Sequence, residues 1–186
     1  LPYFNTPLAN LPVIDDAHPN WTQDEADQLR DAGISSAGNN SAGTSVICAE
    51  VATSYKTDSS GAADTTWKFL ETVDTASQAA EFIFNSLKAD FSQCRLTDGD
   101  LIPGRAMANE GSIRASFLEY YKTLSGADYT LLQAGEAALN YFRKHLTVSI
   151  NMSTGTITAT MRLPLVGQVR SIIVPITMTL TTVSAA

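Results

Sequence analysis

Helix-period and strand-period stretches follow one another along this 186-residue chain in an order that predicts an α+β fold. The expected architecture is a mixed β-sheet with flanking helices, a C-terminal β-hairpin and an extended terminal strand. Three observations carry it. Ala76, Ala80, Ile83, Leu87 and Phe91 recur at three- and four-residue spacing, the period of an amphipathic helix. Ile113, Phe117, Tyr121 and Leu124 repeat that spacing. From Leu146 onward the period drops to two, with apolar residues alternating against Thr and Ser.

The remaining elements follow from local chemistry. Residues 1–20 form an irregular, Pro-bearing opening segment. Thr22-Gln-Asp-Glu25 has the form of a capping box, and Gly33 supplies the positive φ that ends a helix. A hairpin is expected next, from Ile34 to Ala37 and from Ser45 to Val51, with Ile47, Ala49 and Val51 on one face. After the polar loop Thr57 to Asp64, Thr75-x-x-Gln78 reads as a second capping box at the start of the longest helix. The second amphipathic helix spans Ser112 to Leu124 and closes at Gly126. Between these helices lies a Gly- and Asp-rich loop, Leu96 to Gly111. A short helix from Gly135 to Lys144 precedes the hairpin Leu146 to Leu163, which turns at Asn151 to Gly155. Pro164 to Gly167 breaks that hairpin before the last strand.

Composition narrows the function. Apolar residues make up 44% of the chain and charged residues 17%, as in one globular domain able to bury a core. The net charge is −7, and Arg143-Lys144 is the only adjacent basic pair, so direct nucleic-acid binding is not expected. Without a run of about 18 apolar residues, no membrane insertion is expected. The chain reads as soluble and made in a cytoplasm. Leu1 in place of Met, ahead of an irregular stretch, points to a piece of a longer protein.

No constellation stands out as chemistry. A hydrolase would have to pair Cys48 or a Ser with His18 or His145, and no nucleophile turn adjoins Cys48. Cys48 and Cys94 lack metal-ligand spacing and read as small buried side chains. Asp98, Asp100 and Glu110 lack the spacing of a calcium loop, and the nearby glycines lack that of a phosphate cradle. The chain is therefore read as no enzyme and without cofactors. A small hydrolase, and a ligand-binding module with its mouth at Leu96 to Gly111, remain as competing classes.

Several strings resemble, in order, those of the Mu-like contractile phage tail sheath proteins. Trp21 to Leu29 followed by Asp31-Ala-Gly-Ile-Ser35 is similar to that family's "E-R-D-L-L-L-x-D-G-I-S/A". Thr44-Ser-Val-Ile-Cys-Ala-Glu50 with Thr53-Ser-Tyr55 resembles "G-T-V-x-I-E-R-x-I-T-T-Y", and Gly61-Ala-Ala-Asp64 with Trp67 to Val73 resembles "G-x-x-D-x-S-Y-L-D-V". Cys94-Arg-Leu-Thr-Asp98 and Ile102-Pro-Gly-Arg-Ala106 resemble "K-L-A-D-D-G" and "x-x-P-G-Q-A", ahead of Ile113-Arg-Ala115. The chain departs from the pattern near Ala52 and at Asn109-Glu-Gly111. The resemblance spans about Leu11 to Leu180.

The resemblance implies the C-terminal part of a structural subunit that polymerises around a tail tube and contracts to drive it through a host envelope. A sheath component of a bacterial contractile injection system would share these features. The implied partners are neighbouring sheath subunits, the tail tube protein, and baseplate and tail terminator proteins. The implied location is the virion tail, assembled in the host cytoplasm. Residues 21–168 would be the core domain and 169–186 an arm. On that arm Ile172, Val174, Ile176, Met178 and Leu180 share one face, and Pro175 offers no amide to a ladder. The strand is expected to pair with a neighbouring subunit, the alternative being that it folds back on its own hairpin. Arg143 and Lys144 are expected to face the tube.

Overall fold

A computed structural model describes residues 3, 6–13, 21–40 and 42–167 of the chain. His18 and the whole of the arm, with Ile172, Val174, Ile176, Met178 and Leu180, lie outside the described residues. The fold is α+β. In order, its elements are α1 (Gln23–Asp31), β1 (Ser36–Asn39), β2 (Val46–Glu50), α2 (Leu70–Phe91), β3 (Arg95–Leu96), β4 (Met107–Ala108), α3 (Glu110–Leu124), α4 (Glu136–His145), β5 (Thr147–Asn151) and β6 (Thr156–Thr160). Among the described residues the strands have mixed orientation and are distributed over three two-stranded sheets: β1–β2 and β5–β6 are antiparallel, β3–β4 parallel.

The first helix starts as its capping box dictates. The Glu25 amide donates to Thr22 Oγ1 at 3.3 Å, and the Thr22 amide donates to Glu25 Oε2 at 2.9 Å. It ends at Ala32, ahead of Gly33 at φ +78°. The hairpin forms as expected, and its covered face is the one that carries Cys48. Val46 and Cys48 are buried, whereas Ile47 is partly exposed. Alternation shows that a strand has two faces; the neighbour that covers one of them is set by the tertiary fold. Within the opening segment, Thr6 to Leu8 line the free edge of β2: the Cys48 amide donates to Thr6 O and the Leu8 amide to Val46 O, both at 2.9 Å.

Helix α2 begins at Leu70, well before the expected cap at Thr75. Its first amide needs no side-chain cap, because Leu70 N donates to Val51 O at 3.1 Å where Ala52 and Phe69 bridge. Thr75 sits inside the helix and donates to Glu71 O at 2.7 Å, while Gln78 donates to Asp74 at 2.8 Å. Of the expected stripe, Ile83 is buried and Leu87 and Phe91 pack against the core, but one turn earlier Ala79 is fully buried and Ala80 exposed.

Helix α3 lies at the centre of the core. Ile113, Phe117, Tyr121 and Leu124 are each at most 2% exposed, and Tyr120 joins them. They pack with Ala79 and Ile83 of α2, Phe142 of α4, Leu132, and Leu146 and Val148 at β5. The small side chain of Ala79 lets α2 and α3 approach closely. Tyr121 and Phe142 stack at 4.7 Å, and the Tyr121 hydroxyl donates to Gln133 O at 2.7 Å. The stretch after β6 does not leave the fold: Leu165 bridges Leu132, with Gln133 N donating to Pro164 O and Val166 N to Leu131 O.

Gly33 is the glycine whose replacement the fold resists most clearly. A Cβ there would come within 2.7 Å of Ser54 Cα and 2.8 Å of Thr53 O, at a φ that L side chains avoid. Gly61 has a similar φ of +82° with open space around it. Gly33→Ala should therefore cost about 2–4 kcal/mol, from left-handed strain plus the clash, and Gly61→Ala about 1–2 kcal/mol from strain alone. Urea denaturation of both variants measures the difference, and equal losses would contradict the close packing of α1 against residues 53–54.

Candidate functional site

The residues that could have carried catalysis are held apart. Cys48 lies on the buried face of β2, and burial, followed by the Glu71 carboxylate, pushes its thiol up. A thiol held in its protonated form is a poor nucleophile. Glu71, only 3% exposed, sits in the first turn of α2, where the helix dipole favours negative charge. His145 ends α4, its Nδ1 2.8 Å from Tyr141 O and its ring 4.3 Å from the Tyr141 ring. A carbonyl oxygen only accepts, so that nitrogen carries the proton. No hydrogen bond joins Cys48 to His145 among the described residues.

The acidic residues of the central loop are likewise occupied or solvated. Asp98 and Asp100 are exposed, and Glu110 accepts the Ile150 amide at 3.3 Å on the outer edge of β5. Among the described residues no group of three His, Cys, Asp or Glu side chains is gathered to hold a metal ion. No helix among them is long and apolar enough to cross a membrane.

The cationic pair is split by its surroundings. Both residues are exposed at the C-terminal end of α4, where positive charge suits the dipole. Arg143 turns to Glu136 at 3.3 Å and Asn140 at 3.1 Å. Lys144 has no ion-pair partner among the described residues. The same helix end is capped by Arg114 of α3, which donates to Leu146 O at 2.9 Å and Arg143 O at 2.8 Å.

Two features escape sequence reasoning. One is the Arg114 cap, since nothing in Ile113-Arg-Ala115 announces a partner some thirty residues away. The other is the order of the central loop. Arg95 N donates to Ala106 O and Thr97 N to Ala108 O, so the parallel pair β3–β4 closes the loop at its base. Asn109 Nδ2 donates to Gly99 O at 3.2 Å, and Arg105 N to Ile102 O at 3.1 Å with Gly104 at φ +76°. Pro103-Gly104 is thus the centre of a tight turn, and it presents Leu101 and Ile102, 40% and 57% exposed. Pro-Gly was the available signal.

The surface divides unevenly between polar and apolar. Phe84 on α2 is 64% exposed, and Trp21, Ile34, Tyr141 and Met152 are also exposed. Beneath, the 2.5 Å bond from the Tyr120 hydroxyl to Asp90 ties α3 to α2. Burial, then the Asp90 bond and charge, raise the Tyr120 hydroxyl above its ordinary value, and burial raises that of Tyr121. A raised tyrosine contributes stability that is complete below the unfolded pKa, about 10, and is lost as pH climbs toward the folded value. Stability should hold to about pH 10 and then fall. Tyr120→Phe should lose about 1 kcal/mol at neutral pH and show a shallower alkaline fall. Denaturant midpoints between pH 8 and 11 check this, and parallel curves for the two proteins would contradict it.

The sequence matches no protein-family model and no curated protein, so function is read from the chain's own residues.

Proposed function

We propose that this chain is the C-terminal part of a contractile-tail sheath subunit, a structural protein that polymerises around a tail tube. The observation that carries the reading is the balance of its apolar residues. Among the described residues, fourteen hydrophobic side chains are buried while twelve large ones are exposed. Leu101 and Ile102 adjoin on one exposed turn, and adjoining exposed apolar groups of this kind favour association. The ordered strings from Trp21 to Ala115 favour a sheath as the assembly. The thiol of Cys48 and the hydrogen-bonded ring of His145 favour a structural role over hydrolysis.

Strand addition supplies the joint. β6 pairs with β5 on one side, and among the described residues no strand pairs with its other edge. Its inner residues Ile157 and Ala159 face the core, while Thr156, Thr158 and Thr160 are exposed. A further strand alternating as Ile172, Val174, Ile176, Met178 and Leu180 do would extend this pattern in register. Burying those side chains would contribute about 8–15 kcal/mol gross, at about 1.5–3 kcal/mol each, before association costs. The arm of an adjacent subunit is the proposed source. Of the pair Arg143 and Lys144, Arg143 is proposed to meet the tail tube once released from Glu136, while Lys144 points about 100° away around the helix.

Negative-stain microscopy of the full-length protein, alone and with isolated tail tubes, tests the reading. Tubes or stacked rings are expected. Deleting residues from Pro175 onward should leave a folded, soluble domain that forms none, and Arg143→Glu should weaken recruitment to tubes at low salt. Dispersed full-length monomers under all conditions would overturn the sheath reading. Normal tubes from the truncated chain would overturn the arm alone, and unchanged recruitment of the charge-reversed protein would overturn the tube contact.

A further inference from the structure

We propose that the Leu101–Gly104 turn of one copy seats Leu101 and Ile102 in the groove between α4 and Leu163–Pro164 of a second copy, with Asp98 and Asp100 facing Lys144. The first half of the argument is the shape of the turn. Its base is closed by β3–β4, its tip by the Ile102–Arg105 hydrogen bond, and its leading limb by Asn109 on Gly99. An apolar pair held out in water on an ordered turn loses little conformational freedom on docking.

The second half is the groove. Gln133, Ala137, Ala138, Tyr141, Leu163 and Pro164 line an open groove of about 430 Å³, which accepts two branched aliphatic side chains. Of its polar groups, the Gln133 amide already donates to Pro164 O and the Gln133 side chain to Leu165 O. An apolar occupant therefore leaves both of these donors paired.

Charge fixes the orientation. Ala137, Tyr141 and Lys144 stand at i, i+4 and i+7 on α4, so Lys144 borders the groove along one helix line. Glu136, the acid of this helix, is taken up by Arg143 on the neighbouring line 136–140–143. Among the described residues, the groove thus has an uncompensated cation at its rim. Beyond its β3–β4 base, where Arg95 lies, the turn carries Asp98 and Asp100 on its leading limb and Arg105 on its returning limb, so its outer part is net negative. Because the lines through Arg143 and Lys144 diverge by about 100°, a tube contact through the first leaves the second available to a copy. Turn and groove are different surfaces, so the contact is heterologous and repeats from copy to copy into a ring or a helix.

This contact needs self-association but no tube, and it rests on the proposed function only to that extent. Equal amounts of unlabelled and ¹⁵N-labelled full-length chain, mixed and coupled with a zero-length carbodiimide, test it directly. Peptides joining Asp98 or Asp100 to Lys144 and carrying mixed isotopes are expected. Ile102→Asp, at an exposed position, should retain the circular dichroism of the parent, abolish that cross-link and weaken self-association about tenfold or more in sedimentation velocity. Asp100→Lys and Lys144→Asp should each weaken association alone, and mixing the two variants should restore it. Single-isotope cross-links only, or Ile102→Asp self-associating like the parent because the chain's own C-terminal segment fills the groove, would overturn the proposal. Tubes that form without this cross-link would sink the contact and spare the sheath reading; cross-linked copies that ignore tail tubes would do the reverse.

Discussion

Burial of one helical stripe, Ile113, Phe117, Tyr120, Tyr121 and Leu124 of α3, is the constraint on which the other elements depend. Each neighbour is placed by what it contributes to covering that stripe. Helix α2 brings Ala79 and Ile83, α4 brings Phe142, and the strand region brings Leu146 and Val148. Polar contacts then fix the angles: Tyr120 reaches Asp90 on α2, Tyr121 reaches Gln133, and Arg114 caps α4. The hydroxyls and the guanidinium lie on the rim of the stripe, where a hydrogen bond sets geometry without an unpaired charge in the core.

The extent of that core explains the surface. Helix α2 has 22 residues and so runs about 33 Å, longer than α3 can cover. Its N-terminal turns carry the β1–β2 hairpin through Glu71 and the Val51–Leu70 bond, and its outer face leaves Phe84 in solvent. Val46 and Cys48 are buried locally and stand outside the main cluster. Among the described residues this makes two apolar centres joined by one helix, with further apolar groups on turns and open faces. Those exposed groups are the ground for the proposed association with further copies.

Much of this was legible from residue spacing, and the failures have physical causes. Thr22-x-x-Glu25 and Gly33 define α1 because capping and left-handed backbone are local chemistry. The stripe of α3 was readable because one face is buried along its whole length. Helix α2 was misread at its start because Leu70 is capped by Val51, a tertiary partner, and one alanine of its stripe was misplaced because Ala79 and Ala80 are equally apolar. Residues 96 to 111 looked like an open loop because strands of two residues each carry no period. For the site, the cations Arg143 and Lys144 were visible as a pair, but their division between Glu136 and the groove depends on helix geometry. The Arg114 cap had no local signal at all.

The central claim is that this fold keeps its core to itself and offers its turns, grooves and strand edges to other copies. Amide hydrogen exchange on the full-length protein, dilute and then concentrated to the point of assembly, tests it most directly. The account predicts that α3 is strongly protected in both states, while residues 97–106, Leu163–Pro164 and the outer edge of β6 gain protection only on assembly. Exchange that stays the same across that concentration range, or protection gained in α3 instead of at those edges, would contradict it.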